Sequence, residues 1–255
     1  MLAQRANTRG KGSGALPMLL TRAWPPVERA AEFDRFQRHE HLPQLMDAPG
    51  ARQALYYETI VERLPAICQG SGSRLVEYRC GSVDDLFAWL RSDELAAAVK
   101  DGGARWFGRM NELDGALYTG NIYNVDEVIG RRATDAPDEC TLLLERFEVG
   151  AQAEEFDRWA VDEHLPDLAV APGVFGVRYC AAIRGQSPIP YYESPGDRAV
   201  LVAVDPAVSP ADAAVEPTLL AAVQDSLRWD SLLSYVRREV YGFICTVRAS
   251  KEAAA

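Results

Sequence analysis

The sequence predicts an α+β protein in which two fused βαββαβ units close into one pseudo-twofold barrel. Three observations predict it. One is an internal repeat at a spacing of 123 residues; another is the same order of strand-like and helix-like segments in each copy. The last is that each copy has helices enough to cover only one face of its sheet, so the other face needs a partner.

The repeat decides the architecture. Residues 32–56, EFDRFQRHEHLPQLMDAPGARQALY, align without a gap on residues 155–179, EFDRWAVDEHLPDLAVAPGVFGVRY, with 13 of 25 positions identical. Weaker matches continue it: ELAAAV at 94–99 with TLLAAV at 218–223, Trp106 with Trp229, and YTGNIYNV at 118–125 with VYGFICTV at 240–247. The organisation that follows is a flexible polar lead over 1–14, a first repeat over 15–130, a polar Pro-containing linker over 131–138, and a second repeat over 139–250.

Each copy opens with a short apolar run of strand length, ALPMLLTRAW or CTLLLERFEV. A helix follows over 28–41 or 152–164, with Phe33 and Phe36, or Phe156 and Trp159, three apart on one face. HLP is expected to stop that helix, because the residue before proline avoids the α region. Pro-Gly at 49–50 and 172–173 turns the chain into a second strand, ARQALYYETI or VFGVRYCAAI. A Gly/Ser/Pro loop leads to a third strand, RLVEYRC or RAVLVAV. In the second copy that loop ends in YYESPGD, read as a β-β connection able to act as a lid. A second helix over 83–99 or 209–224 and a last strand over 117–128 or 239–248 complete the order. This is the split βαβ, ferredoxin-like order, twice. Packed sheet against sheet, the copies are expected to enclose a cavity.

Composition excludes several classes. A net charge of −10 argues against a nucleic-acid binder, which needs a basic face, and against attraction to an anionic membrane. No apolar run reaches the ~18 residues of a membrane span, and no apolar core of a signal peptide follows the basic start. Cys68, Cys80, Cys140, Cys180 and Cys245 are odd in number and lack a CxxC, which reads as reduced thiols in a cytoplasmic protein. GKGSG at 10–14 lacks phosphate-loop spacing, and neither a GxSxG elbow nor a dinucleotide fingerprint occurs.

The chain's three histidines all lie in two phrases, HEHLP at 39–43 and DEHLP at 162–166. His39 and His41 stand two apart, about 200° round a helix, so they diverge; no metal site is expected. EHLP is the repeated part, which singles out His41 and His164. At a helix C-terminus the imidazolium is favoured, so an upward-shifted pKa is expected of His41; acid/base work is expected of both, against the alternative that they only close their helices. His39 is peculiar to the first copy and adds a polar group beside His41. Tyr56 and Tyr179 match on the second strands; with Arg178, Asn121 and Tyr123 they are the strand residues expected to line the cavity and bind substrate.

The aromatic helix, the His before an apolar-Pro pair and the Pro-Gly turn, present in both copies, resemble the EthD-like members of the dimeric α+β barrel superfamily, here as a tandem duplication. The resemblance covers most of the chain. It implies a cofactor-independent lyase or isomerase acting by dehydration, decarboxylation or cyclisation on a small aromatic, polyketide-like or other cyclic oxygenated metabolite. His41 and His164 would then be the acid/base groups at the cavity. It also implies an alternative, a monooxygenase on the same barrel, cofactor-free or haem-dependent; a further alternative, from another class, is a non-catalytic small-molecule binding protein. The expected partners are a small-molecule substrate and the second half of the chain itself, with a further homodimer left open.

Overall fold

The structure, a computed structural model, describes residues 10–11, 17–60, 68, 72–107, 118–130, 139–185, 192–208, 212 and 216–249. The linker at 131–138 and most of the lead lie outside them; Gly10 and Lys11 pair with Val128 and Glu127.

Eight strands carry the fold: β1 (Met18–Ala23), β2 (Ala51–Thr59), β3 (Arg74–Cys80), β4 (Tyr118–Gly130), β5 (Thr141–Glu148), β6 (Val174–Ala182), β7 (Arg198–Val204) and β8 (Tyr235–Arg248). Their order is β4-β1-β3-β2-β8-β5-β7-β6, and β6 pairs back onto β4, so the sheet is a closed antiparallel barrel. The first four strands run β4-β1-β3-β2 and the last four β8-β5-β7-β6. The two sets are joined at β2–β8 and at β4–β6. Closure leaves these strands no bare edge.

Both faces of the barrel wall are buried, which is why the strands are apolar almost throughout; all six residues of β1 are buried. Alternation still sorts them. Met18, Leu20, Tyr57, Leu75, Tyr123, Leu142, Leu144, Leu201 and Tyr241 form the inward cluster. Outward residues such as Leu19, Tyr56, Val76 and Tyr78 pack under the helices of the first half, and Val177, Tyr179, Val200 and Val202 under those of the second.

The interior departs from expectation. It is not an open cavity between two sheets; Met18, Tyr57, Leu75, Tyr123 and Tyr241 are 0% exposed and fill it. It also holds charge. Arg178 donates to Glu77 through Nη1 and Nη2 at 2.5 and 2.9 Å, and Arg79 Nε reaches the same carboxylate at 2.5 Å. Burial raises the Glu77 carboxyl, but these two guanidinium groups outweigh it and hold it far below the usual range.

The helices also differ from the sequence reading in two respects. α1 (Ala30–Phe36) does not end at HLP. It widens into a π turn over Gln37–His41 and continues as α2 (Leu42–Met46). The second half repeats this with α5 (Ala153–Trp159), a π turn over Ala160–His164 and α6 (Leu165–Ala169). Proline lacks an N–H and its ring collides with the carbonyl four residues back. The π turn removes that collision, and the Leu42 and Leu165 N–H groups bond five residues back, to Gln37 and Ala160. The predicted helix 83–99 is two helices, α3 (Val83–Leu90) and α4 (Asp93–Gly102), because Ser92 caps a new start by accepting from Leu95 N–H. α7 (Pro217–Asp225) is the described part of its counterpart.

The last strands correct the sequence alignment. Leu20 lies opposite Asn121, and Leu144 opposite Glu239, so residues 118–125 correspond to 236–243 rather than 240–247. A shift of four keeps the in–out alternation, so hydrophobic pattern alone does not distinguish the two registers. All five cysteines are free thiols, and among the described residues no helix is long and apolar enough to cross a membrane.

The Glu77–Arg178 pair gives a stability test. Glu77→Gln leaves a buried guanidinium without its charge, and should cost about 3 kcal/mol or more in urea unfolding. Glu163→Gln removes only an exposed partner of Arg228 and should stay within about 1 kcal/mol.

Candidate active site

A cleft lies outside the barrel, between α1 with its π turn and the outer face of the first-half sheet. Thr21 and Ala23 of β1 point into it because they alternate with the inward Leu20 and Arg22. Tyr56, Arg74, Tyr78 and Tyr118 come from β2, β3 and β4, and Phe33, Gln37 and His41 from the helix. Its free volume, about 10 Å³ for the centres of water-sized spheres, is room for about one water.

His41 is 6% exposed. Its ring stacks on Phe36 at 5.3 Å with an interplanar angle of 18°. On another side it meets backbone: a Cβ on Gly102 would lie 2.7 Å from His41 Cε1, so glycine at 102 leaves room for the imidazole. Burial pushes the His41 pKa down to about 4; the Asp101 carboxylate opposes this and the Arg105 guanidinium adds to it. The upward shift expected of a helix end is therefore corrected. The helix continues past His41, and desolvation dominates. At neutral pH the imidazole is uncharged.

The cleft's floor is fixed by a three-residue tie. Asp34 accepts from Tyr56 OH at 2.5 Å and from Arg74 Nε and Nη2 at 2.7 and 2.9 Å. Burial raises the Asp34 carboxyl, and the hydrogen bonds from Arg74 and Tyr56 bring it below its usual value. Burial pushes the Tyr56 and Tyr78 phenols well up, so both stay protonated donors.

The second half repeats the frame. Tyr179 OH donates to Asp157 at 2.5 Å, and Arg198 bonds the same carboxylate at 2.8 and 3.0 Å. His164, 1% exposed, stacks on Trp159 at 4.6 Å and 19°. The contents differ. Opposite Val76 stands Thr21, but opposite Val200 stands Glu145; opposite Arg74 stands Ala23, but opposite Arg198 stands Phe147. Phe147 packs on Phe156 at 4.8 Å, and Trp159 on Trp229 at 5.5 Å, filling the space. His164 Nε2 lies 2.6 Å from Glu145, which also accepts from Ser226 Oγ at 3.0 Å. A separate hollow in this half, under α7, is lined by apolar side chains, Cys68 and Thr141.

The expected site residues thus fall into four places. His41 and Tyr56 share the first-half cleft. His164 and Tyr179 sit at the filled second-half position. Arg178, Asn121 and Tyr123 are inside the barrel, away from both. There Asn121 Nδ2 donates to the carbonyls of Ser194 and Gly196 at 3.0 Å, and Tyr123 OH to Gly196 at 2.9 Å. The 194–196 stretch of the expected lid is therefore a strap held to the barrel wall. His39 is exposed to solvent. Among the described residues no His, Cys, Asp and Glu side chains gather as a metal-binding group.

The sequence reading did not single out Thr21, Ala23, Gln37, Arg74, Tyr78, Tyr118 or Gly102. Signals existed for some. Asp34 and Asp157 are among the repeat identities, Arg74 and Arg198 open matching strands, and Gly102-Gly103 interrupts a helical run.

No protein-family model matches the sequence, and no curated protein matches it. Solved structures do resemble it in shape. An anthrone oxidase-like protein superposes with a TM-score of 0.63 at 14% identity, covering 97% of this chain and 99% of that one. A proposed monooxygenase from Fusobacterium nucleatum subsp. nucleatum gives 0.58 at 7% identity over 92% and 95%. Another from Lactobacillus acidophilus gives 0.53 at 11% over 92% and 97%. At these identities the likeness establishes the fold alone, a closed antiparallel α+β barrel.

Two measurements check the site's geometry. Because folded His41 resists protonation until about pH 4 while an unfolded imidazole protonates near 6.5, the unfolded chain binds more protons between these values. His41 should therefore cost the fold up to about 3 kcal/mol as pH falls from 6.5 to 4, a loss absent in His41→Gln when unfolding is followed against pH. Separately, Gly102→Ala should displace the imidazole from Phe36, seen as a changed His41 ring environment in NMR while the far-UV circular dichroism is kept.

Proposed function

We propose that the chain is a tandem duplication of two ferredoxin-like units of the EthD-like kind, and that it is a small-molecule enzyme reacting in the cleft of its first unit. The duplication is supported by the strand orders β4-β1-β3-β2 and β8-β5-β7-β6 and by the paired Asp–Tyr–Arg ties. The choice of unit is carried by one observation: Ala23 leaves an opening beside His41 where Phe147 fills the matching space by His164.

The substrate class proposed for this cleft, which at rest has room for about one water and has to widen to admit it, is a small aromatic or polyketide-like metabolite with phenol or carbonyl oxygens. Tyr78 and Tyr118 offer flat walls, and Thr21 and Gln37 offer hydrogen bonds. Neutral His41 removes a proton from the phenol or from carbon beside the carbonyl. Asp101 favours the imidazolium that forms, and the Asp34–Arg74 tie holds the Tyr56 wall in place. This is the opening step of a cofactor-independent dehydration, decarboxylation or cyclisation. A second reading is favoured by the anthrone oxidase-like and monooxygenase names of the solved neighbours. The same deprotonation would then prepare the substrate for dioxygen.

Turnover of anthrones and hydroxylated naphthalenes, followed by mass spectrometry with and without oxygen, tests both. His41→Gln should lower kcat/KM by about 100-fold or more. His164→Gln, in protein confirmed as folded, should stay within a few-fold of wild type, and Ala23→Phe should lose substrate. The acid limb of the rate profile should fall near pH 4, where His41 protonates. Product formed without oxygen marks the lyase or isomerase reading, and stoichiometric oxygen uptake the oxidative one. Full activity in His41→Gln defeats the proposed mechanism.

A further inference from the structure

The chain carries a net charge of −10, yet one mouth of the barrel gathers positive charge. Arg22 on β1, Arg146 on β5 and Arg237 on β8 share a single carboxylate there, Glu239, at 2.9, 3.2 and 3.2 Å. Glu239 is 0% exposed, and the Arg22 and Arg146 side chains only 7% and 3%. Among the described residues, the other partners of these guanidinium groups are neutral. Arg22 lies over the Trp24 ring at 4.7 Å. Arg146 donates to Tyr235 OH at 2.7 Å, to Ser194 Oγ at 3.2 Å and to the Pro195 carbonyl at 3.5 Å.

Three guanidinium groups on one carboxylate leave positive charge uncompensated among the described residues, and buried charge is costly unless paired. Hydrogen-bonding capacity is also left over. Arg146 Nε and Thr119 Oγ1 are buried without a partner among the described residues, and Thr119 pairs with Arg22 across the sheet. The mouth reaches solvent through Arg237, whose side chain is 30% exposed, and beside the half-buried Trp24 and Tyr235.

We infer that this mouth of the barrel is a binding site for a small oxyanion, the phosphate or carboxylate group of a small molecule. Guanidinium forks match the oxygens of both groups. Arg22, Arg146 and Arg237 supply the charge, the Ser194–Gly196 strap supplies one wall, and Trp24 and Tyr235 the apolar rim. The site is distinct from the His41 cleft: Arg22 points inward from β1 while Thr21 and Ala23 point outward into the cleft.

Thermal unfolding at constant ionic strength, with chloride exchanged for millimolar inorganic phosphate or malonate, tests this. At least one of the two anions should raise the Tm by about 3 °C or more. Arg237→Gln, which removes the partly exposed cation, should lose most of that gain. Arg158→Gln, on an exposed helix pair with Glu154, should keep it. Preference for phosphate over malonate, or the reverse, identifies the headgroup. Isothermal titration of wild-type protein with the same anions reads binding without any variant. Absence of anion-specific stabilisation and of binding heat, or an undiminished gain in Arg237→Gln, overturns the inference. None of these readouts uses turnover, so the result stands apart from the reading of the His41 cleft.

Discussion

The two joints that close the barrel, β2 against β8 and β4 against β6, carry the rest of this structure. Each set of four strands alone would expose two bare edges and one uncovered apolar face. Pairing edge to edge satisfies both at once and turns the uncovered faces into an interior. An interior of eight strands is narrow, just wide enough for side chains to fill. Tyr57, Tyr123 and Tyr241 occupy it, and the polar groups that remain must find partners within it. The Glu77–Arg178 pair and the Glu239 cluster are consequences of closure. So is the position of the candidate cleft, which lies outside, where a helix bridges the sheet without sealing it.

The same frame occurs in both halves with different fillings. In both halves an Asp on the first helix ties a Tyr and an Arg of the sheet, and a His at the end of a π turn stacks on an aromatic ring. The tie and the stack fix the distance between helix and sheet, so what differs is the filling between them. With Ala23 and Thr21 the gap stays open and the imidazole faces polar groups. With Phe147 and Glu145 the gap closes, and His164 enters a buried network with Glu145 and Ser226. Removing one member of such a network strands the others without partners, which holds the second-half position closed.

The fold was legible because its evidence is repetitive. The 25-residue match, the order of segments and the Pro-Gly turns each occur twice, and consistency between copies replaces what a single segment cannot prove. The candidate site was legible only in part. EHLP pointed to His41, and Tyr56 was found by its match to Tyr179. Arg178, Asn121 and Tyr123 were placed in the same site because a strand residue's face is known only relative to its neighbours; the barrel turned them inward, into the filled interior. Ala23 carries no chemical signal in a sequence at all. Its importance is the absence of a Phe, visible only when Phe147 is seen in the matching place. HLP misled for a physical reason: proline's demand on the preceding turn was met by widening the helix rather than ending it.

The burial of His41 bears on what it can do. A base whose conjugate acid has a pKa of about 4 accepts a proton from a phenol of pKa about 10 only at a cost of roughly 8 kcal/mol. That is less than half the ~17 kcal/mol barrier of a reaction turning over about once per second. The transfer is therefore accessible as a transient step, and it needs no change in the resting charge of the site. A shallower His41 would be a stronger base but would be partly protonated near neutral pH and would admit more water. Burial trades base strength for a permanently neutral imidazole, and the Asp101 carboxylate recovers part of the loss by favouring the cation as it forms. That combination suits a brief deprotonation of a bound, flat substrate better than it suits an acid that must rest in its protonated form.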